Sequence, residues 1–173
     1  MRLQSFTEHI PMPWANGRGT SYEVARAGGD TWDWRVAIAP VVADGPFSEL
    51  PGVDRWLVVM DAAPLELTID GVTRTVGQRD IVSFAGESAV YAHLPSGATR
   101  DCGLMVRRGR ASGSMEIVKR GVTTGRVVVA LTESTVNVKS TTSELGVGDA
   151  LIADESTMMD VVSGVVCVIG VDT

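Results

Sequence analysis

The residues best suited to chemistry crowd into the first third of the chain. Asn16-Gly17-Arg18-Gly19-Thr20 is a polar, glycine-rich run whose backbone amides suit an anion. It has no Walker lysine and no following helical pattern, so it is not a nucleotide loop. Arg35 interrupts an otherwise apolar stretch, and a guanidinium buried there requires either a carboxylate of the protein or a bound anion. Two readings of Arg35 stand: an internal pair with an acid such as Asp54, or recognition of a ligand. All four tryptophans, Trp14, Trp32, Trp34 and Trp56, accompany it. Strand alternation predicts Asp33 and Arg35 on one face, and Trp32 and Trp34 on the other.

Other chemistries find little support. A metal site in a β-barrel needs closely spaced histidines with a carboxylate; His9 and His93 are isolated, so no metal or other cofactor is expected. There is no Gly-x-Ser-x-Gly elbow, and neither Cys102 nor Cys167 has a neighbouring histidine. Glu23, Asp33, Asp44, Glu49 and Asp54 are available as bases, but their spacing selects no pair. The net charge of −6 and the scattered basic residues argue against a nucleic-acid partner. Arg107, Arg108 and Arg110 read as a solvated strand end. No apolar run approaches the ~20 residues of a membrane span, and Val161 to Val171 is interrupted by glycine. Without a signal-peptide pattern, and with two cysteines in apolar runs, the expectation is a cytoplasmic protein with reduced, buried thiols.

The elements that must position these groups are strands. With 173 residues, 45% hydrophobic and 21% charged, the chain can bury a substantial core. Short β-branched runs at 34–39, 56–60, 65–69, 81–84, 104–106, 127–131, 135–138 and 165–171 are separated by Gly, Pro, Asp and Asn. Asp70-Gly71 between two such runs predicts a type I′ hairpin. Sliding the chain by 69 positions lays Val58-Val59-Met60 on Val127-Val128-Val129, Leu67 and Ile69 on Val136 and Val138, and Gly77 and Asp80 on Gly146 and Asp149. After a one-residue deletion, Glu87-Ser88 falls on Glu155-Ser156. Each half then reads as strand, hairpin, Gly-x-x-Asp turn and two further strands. A glycine followed three residues later by Asp before an apolar strand resembles the turn of cupin barrels, so the expectation is an all-β double barrel: a cupin-like barrel over 1–110 with the candidate pocket, and a second over 111–173. The N-terminal strands are left open to sharing between the halves.

Four ordered blocks carry a family resemblance. Pro13-Trp14-Ala15-Asn16-Gly17-Arg18-Gly19-Thr20-Ser21 resembles a Pro-Trp-Lys-Asn-Gly-Gly-Gly-Thr-Thr signature, and Trp34-Arg35-Val36-Ala37-Ile38-Ala39 a Trp-Arg-apolar-Ser-Ile-Ala strand. Asp44 to Ser48 followed by Pro51 to Arg55, and then Asp101 to Arg108, complete a pattern similar to the HutD/Ves family. The resemblance implies a bicupin without metal ligands, encoded in many bacteria beside histidine-utilisation enzymes. It also implies a pocket in the first barrel for a small carboxylated intermediate such as urocanate or a formyl- or formimino-glutamate. The chain departs from the pattern at Ala15 in place of lysine, Arg18 in place of glycine, and Cys102-Gly103 in place of an aromatic-Asn pair.

The leading functional expectation is a non-catalytic, regulatory binding protein for a small carboxylated ligand. Arg35, with Arg55, would meet the carboxylate in a charge-assisted pair. Asn16, Thr20 and the amides of Gly17 and Gly19 would orient the polar end, and Trp14 or Trp34 would wall the apolar part. Arg18, Ser48 and Asp54 complete the candidate set. The alternatives are a metal-independent isomerase or lyase acting on a small acid, and an interaction scaffold that forms a homodimer.

Overall fold

A computed structural model describes every residue except Ala15, Asn16 and Arg18. In chain order the strands are β1 (Arg2–Gln4), β2 (Ile10–Pro13), β3 (Thr20–Ala27), β4 (Trp34–Val41), β5 (Gly45–Pro46) and β6 (Val53–Val59). Then come β7 (Leu65–Ile69), β8 (Val72–Val76), β9 (Ile81–Ala85), β10 (Val90–His93), β11 (Thr99–Arg107) and β12 (Ser112–Val118). The last five are β13 (Gly121–Ala130), β14 (Ser134–Val138), β15 (Thr141–Leu145), β16 (Ala150–Ser163) and β17 (Val166–Asp172). Two single 3-10 turns, Phe6–Glu8 and Gly29–Thr31, interrupt them, and the described residues contain no α-helix. Among the described residues no helix is long and apolar enough to cross a membrane.

Contacts divide the chain into two compact units, Pro11–Arg110 and Ala111–Thr173 with Met1–Ile10. The first ten residues group with the second unit. The reason is local: β1 pairs antiparallel with the start of β16, Leu3 opposite Leu151. Phe6 donates its amide to Asp149 Oδ1 at 2.8 Å. His9 is buried, donating Nε2–H to the Gly148 carbonyl at 2.9 Å while its Nδ1 accepts from Gln4. Both bonds together require the neutral ring, and burial lowers its pKa accordingly.

The Pro11–Arg110 unit consists of a six-stranded sheet, β2-β3-β4-β11-β6-β9, facing a four-stranded sheet, β5-β10-β7-β8. Its dry core comprises Val41, Leu57, Val59, Leu65, Leu67, Val76, Val82, Val90 and Ala92, joined by Phe47 and Phe84. In the other unit one seven-stranded sheet, β12-β17-β13-β16-β14-β15 with β1 added at β16, encloses Val128, Val136, Leu151, Met159, Val161 and Val168. A bulge between Gly125 and Val127 bends β13 against β16. Gly125 is needed there, since a Cβ would lie 2.5 Å from Val168. The fold is cupin-like, but its sheets are not closed barrels.

The repeat is visible with two corrections. Asp70 and Gly71 take φ of 48° and 83° between paired Ile69 and Val72, the type I′ turn expected. Lys139, 69 positions on, takes φ 53° in the matching β14–β15 hairpin. Gly77 donates its amide to Asp80 Oδ2 at 2.9 Å, and Gly146 to Asp149 Oδ2 at 2.8 Å. The preceding strand is displaced, however. Val58 pairs with Ile81 whereas Val129 pairs with Ala150, so Val58 corresponds to Val129 and not Val127. The β13–β14 connection is two residues shorter than β6–β7, and a slip of two leaves strand alternation intact, so the sequence pattern conceals it. Glu87-Ser88 and Glu155-Ser156 are not equivalent either: the first lie in a turn, the second within the continuous strand β16.

Candidate ligand-binding site

Three central strands of the six-stranded sheet carry the site. Antiparallel pairing sets Met105 of β11 opposite both Arg35 of β4 and Arg55 of β6. Two residues along, Gly103 lies between Ala37 and Leu57, and two further on, Asp101 lies between Ala39 and Val59. Alternation turns these three cross-strand rows to one face. They line a cavity of about 420 Å³ together with Met12, Trp14, Ser21, Trp32, Ser48 and Arg107. Beyond the Asp101 row the dry core closes the inner end.

Neither inner guanidinium has a carboxylate within 4 Å among the described residues. Arg35 Nη1 and Nη2 donate to the thioether sulfurs of Met12 (3.7 Å) and Met105 (3.5 Å), which are weak acceptors. Its Nε is buried without a partner, and the group lies 5.0 Å from the Trp32 ring centre. Glu23, on the neighbouring strand, acts on Arg35 through space but forms its own ion pair with Arg26 at 3.4 Å. Arg55 donates to the Ser48 carbonyl at 3.0 Å and lies between Phe47 and Phe84, 5.4 and 5.1 Å from their centres. Burial lowers the pKa of both arginines, though arginine keeps its charge in proteins. Two desolvated cations with no carboxylate in direct contact are costly to hold.

Asp101 is the acid of the cavity. It is 6% exposed, and no described residue hydrogen-bonds its side chain. Burial pushes its pKa from 3.8 up to about 7, with Arg55 pulling the other way. Gly103 leaves room before it: a Cβ there would meet nothing closer than the Trp56 carbonyl oxygen at 3.6 Å.

The residues singled out from sequence divide as follows. Arg35, Arg55, Trp14 and Ser48 line the cavity. Trp14 donates Nε1–H to Ser21 Oγ at 2.7 Å, and its ring lies so close over Gly19 that a Cβ would come within 2.8 Å. Gly17, at φ 69°, donates its amide to the Trp14 carbonyl, and Thr20 opens β3 without lining the cavity. Asn16 and Arg18 lie outside the described residues. Asp54 is on the opposite face of β6 from Arg55 and pairs with Arg108 at 3.4 Å, so it is not the partner of Arg35. Trp34 is 2% exposed and faces away from Arg35. Trp32 was expected beside Trp34 but joins the Arg35 side, because it precedes the strand in a turn with φ 18°. Asp101, Gly103, Met105 and Met12 were not proposed as site residues. The available signal was the alternation Asp101, Gly103, Met105, Arg107 within an otherwise apolar strand.

Other polar residues noted in the sequence have partners of their own. Arg107 donates to the carbonyls of Thr31 and Trp32, Arg108 pairs with Glu87, and Arg110 with Asp33 at 3.2 Å. His93 is exposed and bonds Asp44 at 2.6 Å. Cys102 and Cys167 are buried and not joined in a disulfide. Among the described residues no three His, Cys, Asp or Glu side chains cluster to hold a metal.

Facing β-sheets with a polar cavity on the inner face of one of them define a cupin fold. A cupin 2 conserved barrel domain protein from Leptotrichia buccalis shares it, with a TM-score of 0.63 over 99% of this chain and 96% of that one, at 11% identity. The chain belongs to the HutD family, whose model matches residues 7–167. It is similar to HutD from Pseudomonas fluorescens SBW25, with a TM-score of 0.84, 26% identity, and coverage of 98% and 97% of the two chains. It is 37% identical over 109 residues to an uncharacterised 21.2 kDa protein in the hutC 3′ region of Pseudomonas putida, and 34% identical over 116 residues to protein Ves of Cronobacter sakazakii. Those matches take in 61% and 65% of this chain, and 57% and 64% of the relatives, less than two thirds of either relative's length.

Proposed function

We propose that the protein binds a small carboxylated metabolite between Arg35 and Arg55, without transforming it, and reports the level of that metabolite. The observation that carries this reading is the cross-strand row Arg35–Met105–Arg55: two guanidiniums lining one cavity, neither in contact with a carboxylate of the described residues. Strands at about 4.8 Å spacing put their backbones roughly 10 Å apart, close enough for two long side chains to converge on one carboxylate. Trp14, Trp32 and Met12 supply apolar wall. Family membership and the hutC-region relative favour an intermediate of histidine degradation, urocanate or a formyl- or formimino-glutamate, and a cytoplasmic site of action. The test is a thermal-shift screen of these acids with glutamate and histidine as controls. One acid should raise the melting temperature of the wild type and leave that of a folded Arg35→Ala unchanged; a shift that survives in the variant refutes the role of Arg35.

One observation favours a second reading, a metal-independent isomerase or lyase. A buried carboxyl whose pKa is about 7 suits a general base at neutral pH. Proton NMR of each bound acid in D2O separates the two readings. Asp101-dependent loss of a carbon-bound proton signal would establish the enzyme, and stable spectra would exclude Asp101 as a base toward those acids.

A further inference from the structure

A carboxylate held by the two arginines leaves Asp101 without a task, and Asp101 is the more unusual group. Its immediate neighbours across the sheet are Ala39 and Val59, which offer its side chain no donor. The dry core lies behind it and the gap over Gly103 in front. A buried acceptor without a protein donor is rare, and each instance calls for an explanation. Asp101 lines the cavity, so a ligand can supply the missing donor.

We propose that Asp101 and the gap left by Gly103 form a second polar subsite, which accepts a neutral N–H from the far end of the bound acid and so selects small monocarboxylic acids carrying such a group. This rests on the carboxylate reading above. Position supports it: Asp101 is four residues from Met105, so it lies roughly 13 Å along the strand from the arginine row. Arg55 and Asp101 line the same cavity and attract one another electrostatically. The distance between the two rows sets the length of ligand that can touch both.

Charge supports it too. Glu23 is paired with Arg26, while Arg107, whose Nε is bonded to two backbone carbonyls, keeps its charge. The described charged groups lining the cavity are therefore Arg35, Arg55 and Arg107 against ionised Asp101, an excess of positive charge. That excess draws a carboxylate to the arginine row and disfavours a further cation, so the other end is an uncharged donor. A second carboxylate at that end would face Asp101 as a like charge.

The experiment is calorimetry at pH 8 with two acids of similar shape: urocanate, whose ring carries an N–H, and 3-(3-furyl)acrylate, whose ring carries none. The wild type should bind urocanate at least about tenfold more tightly, as expected for a hydrogen bond to a charged acceptor. Asp101→Leu, which keeps bulk and removes the acceptor, should bring the two affinities within about threefold of each other while still binding the furan acid. Equal affinities in the wild type, or a preference that survives in Asp101→Leu, overturn the subsite and leave the carboxylate reading standing. If the wild type binds neither acid, both readings fall together.

Discussion

Replacing Asp101 by asparagine should stabilise the protein, by an amount that depends on pH. The carboxyl has a pKa of 3.8 in the unfolded chain and about 7 in the folded one. Its folded value is raised, so the acid is tolerated while protonated, and stability is lost as pH climbs from about 4 through about 7. Above that the loss is complete. At about 1.4 kcal/mol per tenfold change in proton affinity, the interval amounts to about 4 kcal/mol. Asparagine copies the protonated acid in shape and never ionises. Urea unfolding of wild type and Asp101→Asn from pH 4 to 9 should show near-equal stability at pH 4 and a gain of up to about 4 kcal/mol for the variant at pH 8.5, roughly 10 °C in melting temperature for a chain of this size. His9 has its pKa lowered by burial, so below about pH 6.5 it destabilises the fold in the opposite sense. Both proteins carry it, and it cancels in the difference. A gap that does not vary with pH would refute the reasoning, because it would mean that Asp101 is ionised without penalty.

Other perturbations separate the parts of the structure. Gly103→Asn should fill the gap before Asp101 and weaken acid binding at least about tenfold, with little change in melting temperature because its Cβ meets only ordinary contacts; calorimetry and thermal unfolding read the two effects. Gly86→Ala should cost about 1–3 kcal/mol in urea unfolding, since its Cβ would come within 2.2 Å of the Leu50 carbonyl oxygen and displace the segment that brings Ser48 to Arg55. Asp149→Ala should cost more than Asp80→Ala, which loses about 1 kcal/mol, because Asp149 accepts the Phe6 amide as well as its own turn glycine; equal losses would refute that account of how the first ten residues are held.

The all-β character, the strands and the hairpin at Asp70-Gly71 were legible because they rest on local rules: β-branched runs, turn residues and alternation. Arg35 stood out for a similar reason, as a charge in an apolar strand, whereas Arg55 was suggested only by the family pattern. What alternation could not supply is which strands lie side by side. Asp54 looked a plausible partner for Arg35, yet one residue along β6 separates the cavity face from its reverse. Asp101 becomes a site residue only when β11 inserts between β4 and β6, a non-local pairing that no spacing encodes. Trp32 misled because alternation was extended past the first residue of β4 into a turn, where it no longer applies. The two-residue slip in the repeat was hidden because it preserves every inward and outward position.

The measurement closest to the central claim is a calorimetric titration of urocanate into the wild type, Arg35→Ala and Arg55→Ala. The account expects saturable one-site binding by the wild type and its loss in each variant, with both variants folded. Undiminished affinity in either variant would contradict the claim that the two guanidiniums together hold the ligand carboxylate.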